Sequence, residues 1–239
     1  MSTYRLDHTD ACAFLATIGN DTVHLYLTDP PYGISRDTGF KTVGDKGVER
    51  FRVSMDFGQW DHLPPDELTK LLTDTCQEAY RILQSGGVAI VFFDLWKLET
   101  LSTILKYAGF RMLRLIEWQK TNPVPLNSKR FYLSNSREVA IACVKGSKPT
   151  FQTKYHNGVF SMPIHRDGGK RLHPTQKPLA LMKDLIEIHT KPGQIVVDPF
   201  AGSGTTIVAA VQLGREGWGC EIDKKYHKKA QVRLQKLDD

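Results

Sequence analysis

Two short motifs in the 239-residue sequence combine residue types that can do chemistry. The first is Asp29-Pro30-Pro31-Tyr32, directly after an apolar run. Each proline fixes its own φ angle and holds the preceding residue extended, so the Asp29 carboxylate and the Pro30 carbonyl become two adjacent, rigid acceptors. Such a pair can accept both hydrogens of a planar exocyclic amino group and free the nitrogen lone pair for attack. Tyr32 adds a flat face on which a base can stack.

The second motif is a glycine turn, DPFAGSGTT, at residues 198–206. Gly202 and Gly204 let a ligand approach the backbone, and a helix that begins near Gly204 offers N–H groups to an anion. About twenty residues later Glu221 ends the next apolar run, where an acidic side chain can accept from ribose hydroxyls. A nicotinamide-dinucleotide fingerprint would need glycine at Ile207, and a P-loop would need Gly-Lys-Ser/Thr. The motif predicts a nucleoside-plus-anion site, with a purely structural turn as the alternative for this motif alone.

Alternating strands and helices are predicted to position these motifs. Apolar runs predict strands over Val23 to Thr28, Gly87 to Phe93, Met112 to Trp118, Val139 to Val144, Gln194 to Asp198 and Gly217 to Glu221, with an edge strand over Tyr4 to Leu6. Helical periodicity covers Pro65 to Leu83, Leu95 to Ala108, Leu179 to His189, Thr205 to Leu213 and Lys224 to Leu237. This order predicts a single α/β domain over residues 1–239 with a Rossmann-like, doubly wound, mostly parallel sheet. Both motifs then lie at carboxyl ends of strands and can face one crevice.

Positive charge is concentrated in one part of the chain. The formal net charge is +6, and residues 126–172 contain nine Lys and Arg against Glu138 and Asp167. A basic segment on a near-neutral body is typical of phosphate binding. A second candidate is the stretch from Gly33 to Ser54, where four glycines alternate with basic residues including Arg36 and Lys41. It is too long for an ordinary structureless connection, and we interpret it as a mobile functional loop.

Other classes of protein are disfavoured by composition. The four cysteines lie far apart with no C-x-x-C pair, so we expect neither a zinc site nor a disulfide framework and assign no metal ligand. The longest apolar run is far below the roughly 18 residues of a membrane span, and no targeting segment is recognisable at the N-terminus. We therefore expect a cytoplasmic protein that does not interact with membranes.

Four motifs in order give the sequence a family resemblance. They are DPPY, the segment WQKTNP (118–123), HPTQKP (173–178) and DPFAGSGTT. Together they resemble the β-class amino-group DNA methyltransferases, in which the catalytic motif precedes the cofactor motif, and most of all the small adenine methyltransferases of type II restriction–modification systems. The resemblance extends from about Asp10 to Tyr226. It implies the class I methyltransferase fold with a permuted motif order, S-adenosyl-L-methionine as cofactor, and transfer of its methyl group to adenine N6 in double-stranded DNA after base flipping.

The resemblance also assigns residues. It implies a catalytic tetrad of Asp29, Pro30, Pro31 and Tyr32. It implies cofactor contacts by Asp10, Ala11, Asp29, Thr175, Lys177, Asp198, Phe200, Gly202, Ser203 and Glu221, of which Glu221 binds the ribose and Thr175 and Lys177 belong to the motif on the methionine side. For His173 and Pro174 a simple loop-to-helix start is the alternative.

DNA contacts are expected from the two basic regions. The candidates are Arg36 and Lys41 in the 33–54 loop, and Lys129, Arg130, Arg166, Lys170 and Arg171 in the short target-recognition segment 126–172. Arg166 and Asn135 could reach base edges. Because this segment is short for a recognition domain, a homodimer is favoured. A cognate restriction endonuclease is a further expected partner, with no stable complex implied.

Four alternatives remain open from the sequence. Cytosine N4 methylation uses the same scaffold, although serine usually accompanies cytosine where Asp29 stands. Methylation of a protein glutamine would favour asparagine at Asp29, and the basic segment argues against it. An inactive DNA-binding subunit of a heteromeric methyltransferase is disfavoured by the intact motifs, and an NAD oxidoreductase by Ile207.

Overall fold

The computed structural model describes residues 4–33, 39–43, 49–54, 62–123, 135–164 and 175–237. The strands in these ranges are β1 (Tyr4–Asp7), β2 (Val23–Thr28), β3 (Gly39–Val43), β4 (Glu49–Ser54), β5 (Leu83–Phe93), β6 (Arg111–Lys120), β7 (Arg137–Val144), β8 (Val159–Met162), β9 (Ile195–Asp198) and β10 (Glu216–Cys220). The α-helices are α1 (Ala11–Ala16), α2 (Pro65–Ile82), α3 (Leu98–Tyr107), α4 (Leu179–His189), α5 (Thr205–Gln212) and α6 (Lys224–Gln235), and a 3-10 helix covers Leu95–Lys97. None of the helices in these ranges is both long and apolar enough to span a bilayer.

Eight strands form one sheet in the order β1-β10-β9-β2-β5-β7-β6-β8. Neighbours from β1 to β5 are parallel, β7 runs antiparallel to both β5 and β6, and β8 is parallel to β6. From β2 the chain continues to β5 on one side, and from β9 it continues to β10 on the other. The boundary between β9 and β2 is therefore a topological switch point, with a crevice outside the carboxyl ends of the strands.

Helices cover both faces of this sheet, which explains why its central strands have continuous apolar sequences. On one face α1, α2 and α3 bury residues such as Leu72 and Leu101, and on the other α4 and α5 bury Leu185 and Ala209. Central strand β5 contributes alternate residues to each side, among them Val91 to the first face and Ile90 to the second. The predicted doubly wound, mostly parallel α/β fold is confirmed.

The first strand and the last helix meet at one corner of the fold. Helix α6 begins after Asp223, whose side chain accepts from the backbone N–H groups of Lys225 and Tyr226 at 2.8 and 3.1 Å. Its Leu234 is buried in a cluster against which Tyr4 and Leu6 of β1 pack. The predicted edge strand is thus confirmed, and it pairs in parallel with β10.

The range Gly33 to Ser54, which we interpreted as a mobile functional loop, includes two strands. It contains an antiparallel hairpin formed by β3 and β4, in which Lys41 is in register with Arg52. We did not predict this hairpin, although the alternation of apolar and basic residues in Phe51-Arg52-Val53 is typical of strands. Arg36 lies outside the described residues, and mobility and DNA contact remain predictions for this range.

Two further predicted features differ from the structure. The predicted helix from Leu95 to Ala108 is divided into the 3-10 helix and α3, because Lys97 between them has φ −116° and ψ 10°, outside the helical region. The Asp94 side chain caps the 3-10 turn at the Trp96 N–H, 3.1 Å away. Strand β8 was not predicted. The 126–172 segment also includes β7, which lies inside the sheet between β5 and β6, so only parts of the segment can act as a separate DNA-recognition region.

Candidate active site

A cleft of about 1670 Å³ opens at the switch point between β9 and β2. Asp29 lines it from the end of β2, and Gly202 lines it from the loop after β9, so the structure brings the two motifs together as the sequence predicts. Pockets for single small ligands typically have volumes of roughly 300 to 1,000 Å³. The cleft therefore has room for two ligands side by side.

The Asp29 carboxylate is held by two side chains. Tyr32 Oη donates to Asp29 Oδ1 at 2.6 Å, and Lys177 Nζ forms an ion pair with Asp29 Oδ2. The ring of Tyr32 packs edge-on against Phe93 with 5.4 Å between centroids, and Lys97 Nζ donates to the Tyr32 carbonyl at 2.6 Å. With Pro30 and Pro31 buried beside it, the tetrad is fixed to the ends of β2 and β5.

Lys177 lies at the centre of a buried chain of charges. Its side chain is only 4% exposed, and its Nζ is 3.0 Å from Glu138 Oε2 as well as paired with Asp29. Lys120 Nζ contacts the other Glu138 oxygen, Oε1, at 2.7 Å. The sequence placed Lys177 among the cofactor contacts, whereas the structure places its amine on the catalytic side of the cleft.

The pKa values of these groups reflect competition between burial and pairing. Burial raises the pKa of Asp29, and the Lys177 charge only partly opposes this effect. Burial alone would raise the pKa of Glu138, but Lys177 and Lys120 lower it below its usual value. For Lys177, burial favours the neutral amine, yet Asp29 and Glu138 raise its pKa. Lys177 and Glu138 are therefore both ionised at neutral pH.

Asp198 joins the two halves of the site. Its Oδ1 accepts from Thr28 Oγ1 of β2 at 2.7 Å and from the Phe200 N–H at 3.1 Å. The chain then turns through Gly204, whose φ of 75° lies in the left-handed region, and α5 begins at Thr205. Asp198 therefore fixes the glycine turn relative to the strand that carries Asp29.

Glu221 and its neighbours form the far wall of the cleft. Glu221 is 8% exposed, and its Oε2 and Oε1 accept from the N–H groups of Gly202 and Asp223 at 2.8 and 2.7 Å. Each carboxylate oxygen has two acceptor sites, so both can still accept from a ligand hydroxyl. Ile222, 59% exposed, and Phe200 also line this wall and offer apolar surface for a ring.

The other predicted cofactor residues also lie at the cleft. Asp10 and Ala11 line it where α1 begins, and Asp10 Oδ1 caps that helix by accepting from the Ala13 N–H at 2.9 Å. Thr175 lines the cleft just before α4, and Ser203 lines it from the glycine turn, where it is buried. The structure thus gathers every predicted cofactor residue around one space.

Because Asp198 is buried, we predict that the stability of the fold depends on pH. Burial raises its pKa to about 6, above the value of an exposed aspartate, so the folded state binds the proton more tightly and stability falls as pH rises from about 4 to 6. The isosteric Asp198→Asn change removes this charge. It should raise the free energy of unfolding by up to about 3 kcal/mol at pH 7.5, and by about half as much at pH 5.

Urea denaturation at the two pH values measures this difference. Asp21→Asn is the control, because Asp21 is exposed and its ion pair with Lys145 at 2.7 Å should contribute no more than about 1 kcal/mol at either pH. A lower stability of Asp198→Asn at pH 7.5 would contradict the prediction.

The sequence did not identify several residues of the site. Glu138 lies just before the apolar run of β7, and Lys120 is the last residue of β6. A charged residue at the end of a strand is only a weak indication of a functional site. Trp96, 89% exposed at the cleft mouth, was assigned to a helix instead. Nothing local marks Lys97, since its contact with Tyr32 depends on tertiary packing.

The predicted DNA contacts mostly lie outside the described residues. This applies to Arg36, Lys129, Arg130, Arg166, Lys170 and Arg171, while only the backbone of Lys41 is described. Asn135 lines the cleft. Three strands, β2, β6 and β8, end at the edge of the sheet where the cleft opens. The last described residues before the ranges 34–38, 124–134 and 165–174 follow the ends of these three strands.

Comparisons with known proteins agree with this geometry. A family model described as DNA methylase matches residues 23–232. The putative methylase YubD of Escherichia coli K12 is 34% identical over 94% of this chain and 87% of its own, and the type II methyltransferase M2.DpnII of Streptococcus pneumoniae is 30% identical over 96% and 89%. The crystal structure of the M1.HpyAVI–SAM complex is 28% identical, with a TM-score of 0.71 over 97% of this chain and 98% of its own.

Proposed function

This chain belongs to the DNA methylase family, and from that premise we propose that it transfers a methyl group from S-adenosylmethionine to the N6 nitrogen of adenine in double-stranded DNA. The observation that supports this most is the Asp29 carboxylate facing the same cleft as the glycine turn and Glu221. Adenine is favoured over cytosine because the residue at position 29 is aspartate, and enzymes that resemble this chain but act on cytosine N4 usually carry serine there.

The residues of the far wall fit S-adenosylmethionine, the cofactor of this family. Bound there, it supplies an electrophilic methyl group on a sulfonium. The Glu221 carboxylate is suited to ribose hydroxyls, and Phe200 and Ile222 to the faces of an adenine ring. Of the described residues that line the cleft, seven are acidic and four are basic, so the cleft favours a positively charged cofactor.

The Asp29 side would bind the target amino group. The carboxylate oxygens of Asp29 and the carbonyl of Pro30 accept its two hydrogens, and the negative charge of Asp29 stabilises the positive charge that develops on nitrogen during transfer. Tyr32 provides the stacking surface. Because both Asp29 oxygens are already oriented by Tyr32 and Lys177, little reorganisation accompanies the reaction.

The acidic lining also determines how DNA can approach. Phosphates are repelled from the cleft, so the target base must enter it without its backbone, which means extrusion from the duplex at a cost of a few kcal/mol. Trp96 stands exposed at the cleft mouth, where its indole can stack on DNA bases next to the extruded nucleotide. Phosphate contacts then fall to the basic residues of the 33–54 and 126–172 ranges.

Neutralising part of the basic segment tests this arrangement. Changing Lys129, Arg130, Lys170 and Arg171 together to glutamine should weaken DNA binding at least about tenfold at moderate salt, and should reduce the slope of log affinity against log salt by up to about 3.6. Fluorescence anisotropy with a labelled duplex over a salt series measures both values. An unchanged salt slope would reject the phosphate contacts. Lys106→Gln and Lys191→Gln together serve as a control, because both are exposed at the ends of α3 and α4 that lead into β6 and β9, at the opposite edge of the sheet.

The methylated base is identified directly. The purified chain is incubated with methyl-labelled S-adenosylmethionine and mixed-sequence duplex DNA, which is then digested to nucleosides for mass spectrometry. We expect N6-methyldeoxyadenosine. N4-methyldeoxycytidine would establish the cytosine alternative, and DNA binding without methyl transfer would favour an inactive subunit.

We also propose that the chain forms a homodimer. A homodimer would let two copies contact one site, because the described part of the 126–172 segment is mostly built into the sheet. Light scattering with and without DNA measures the assembly state. A cognate restriction endonuclease would act on the same DNA sequence without forming a stable complex with this chain.

A further inference from the structure

A line of four alternating charges passes from the catalytic carboxylate into the sheet. It runs from Asp29 at the end of β2 through Lys177 before α4 and Glu138 at the start of β7 to Lys120 at the end of β6. Buried charges are costly unless they are paired, and an unpaired partner left behind is strongly destabilising. Each inner member of this line has a partner on both sides, so the four residues form one coupled unit.

Glu138 determines where the Lys177 ammonium lies. Lys177 Nζ is 3.0 Å from Glu138 Oε2 and also contacts the rings of Tyr32 and Phe92, with Nζ 5.8 and 5.1 Å from their centroids. From that position the ammonium pairs with Asp29 Oδ2, while Tyr32 donates to Oδ1. The plane of the Asp29 carboxylate is therefore set from two sides, and one side depends on Glu138.

Glu138 also corrects the charge balance. A bare Asp29–Lys177 pair is neutral and would weaken the field that favours positive charge on the target nitrogen. Glu138 places a second negative charge beside the ammonium. Lys120 contacts the other Glu138 oxygen, so the four charges sum to zero, but Lys120 is the member of the line farthest from Asp29. Because the Lys177 ammonium is shared with Glu138, it can orient Asp29 while offsetting only part of the Asp29 charge.

We propose that Glu138 is a positioning residue for methyl transfer, acting through Lys177 to set the orientation of the catalytic carboxylate and to offset the ammonium charge beside it. This inference rests on the proposed function, because it assigns Asp29 the role of acceptor for the amino group. It extends the site to β7, a strand that contains none of the predicted catalytic or cofactor residues.

Glu138→Gln keeps the size of the side chain and removes its charge. With saturating cofactor and DNA, the single-turnover rate should fall about tenfold to a hundredfold. This is less than the roughly hundredfold to thousandfold loss on removing a direct contact, because Glu138 acts through Lys177. Cofactor affinity should stay within about twofold, since electrostatic coupling declines with distance. The matched control is Glu117→Gln on neighbouring β6, whose Arg137 ion pair at 3.1 Å lies outside the line and whose loss should leave the rate unchanged.

The pH profile separates positioning from a general structural defect. Lys177, Glu138 and Asp198 are the charged groups that influence Asp29, together with the Tyr32 hydroxyl; the charge of Glu138 raises the pKa of Asp29. Removing that charge should shift the acid limb of the rate profile to lower pH. A wild-type rate and profile in Glu138→Gln would overturn the proposal, as would a slower rate with no shift.

A double-mutant cycle tests whether Glu138 acts through Lys177. In a Lys177→Met background, adding Glu138→Gln should produce no further loss of rate. An equal additional loss would show that Glu138 acts independently and would overturn the proposal.

A spectroscopic readout keeps the test separate from activity. In protein labelled with 15N-lysine, the Lys177 ammonium signal is assigned by its loss in Lys177→Met. It should shift in both Asp29→Asn and Glu138→Gln and not in Glu117→Gln. An unchanged signal in Glu138→Gln overturns the proposed link. If wild-type protein transfers no methyl group while the signal shifts as expected, the link holds and the proposed function fails.

Discussion

Asp29→Ala is expected to reduce the single-turnover rate of methyl transfer by at least about a thousandfold, the upper range for loss of one preorganised electrostatic contact in an active site. The change removes both the acceptor for the amino hydrogens and the charge that faces the developing cation. Folding should be retained, because Lys177 still has Glu138 as an ionised partner. Cofactor affinity should change little, since Gly202 and Glu221 are untouched.

Quench-flow with labelled cofactor measures the rate, and calorimetry measures cofactor binding. Asp29→Asn is the informative companion, because its amide oxygen can still accept one hydrogen while the charge is lost. Its rate should lie between those of Asp29→Ala and the wild type. Methyl transfer at an ordinary rate by Asp29→Ala would refute the catalytic assignment.

Glu221→Ala should weaken binding of S-adenosylmethionine by about a hundredfold, because hydrogen bonds to a charged acceptor contribute about 1.5 to 3 kcal/mol each. The carboxylate is buried, and the N–H groups of Gly202 and Asp223 fix its orientation in the cleft. Removing it eliminates the proposed ribose acceptor and loosens the glycine turn. The single-turnover rate at saturating cofactor should fall much less than the affinity.

Isothermal calorimetry with S-adenosylmethionine measures this effect. Glu216→Gln is the control, because Glu216 begins the same strand at the end away from the cleft. Equal affinities of Glu221→Ala and the wild type would remove Glu221 from the cofactor site. An equal loss in the control would point to a general weakening of β10.

The central fold could be predicted because its strands are buried on both faces and therefore have continuous apolar sequences. Strand β8 has only four residues at the edge of the sheet, and it depends on pairing with β6 and on the turn at Gly158, whose φ is 80°. Its existence is decided by tertiary contacts that local sequence does not encode.

The parts of the site that could be predicted are those in which a residue lies at the end of an apolar strand. Asp29 and Asp198 each follow an apolar strand, and the switch-point rule places them at a common crevice. The chain of Lys177, Glu138 and Lys120 was not predictable as a unit, because its members come from three separate elements. Their side chains meet only after α4, β7 and β6 have packed, so their individual motifs do not show the pairing.

The packing of Tyr4 and Leu6 beside Leu234 brings the two ends of the described chain to a single corner. Asp29 and the glycine turn follow two separate strands of one sheet, so neither has to precede the other in the chain. A circularly permuted gene product, joined at that corner and opened elsewhere, could place the glycine turn before Asp29 and still assemble the same cleft.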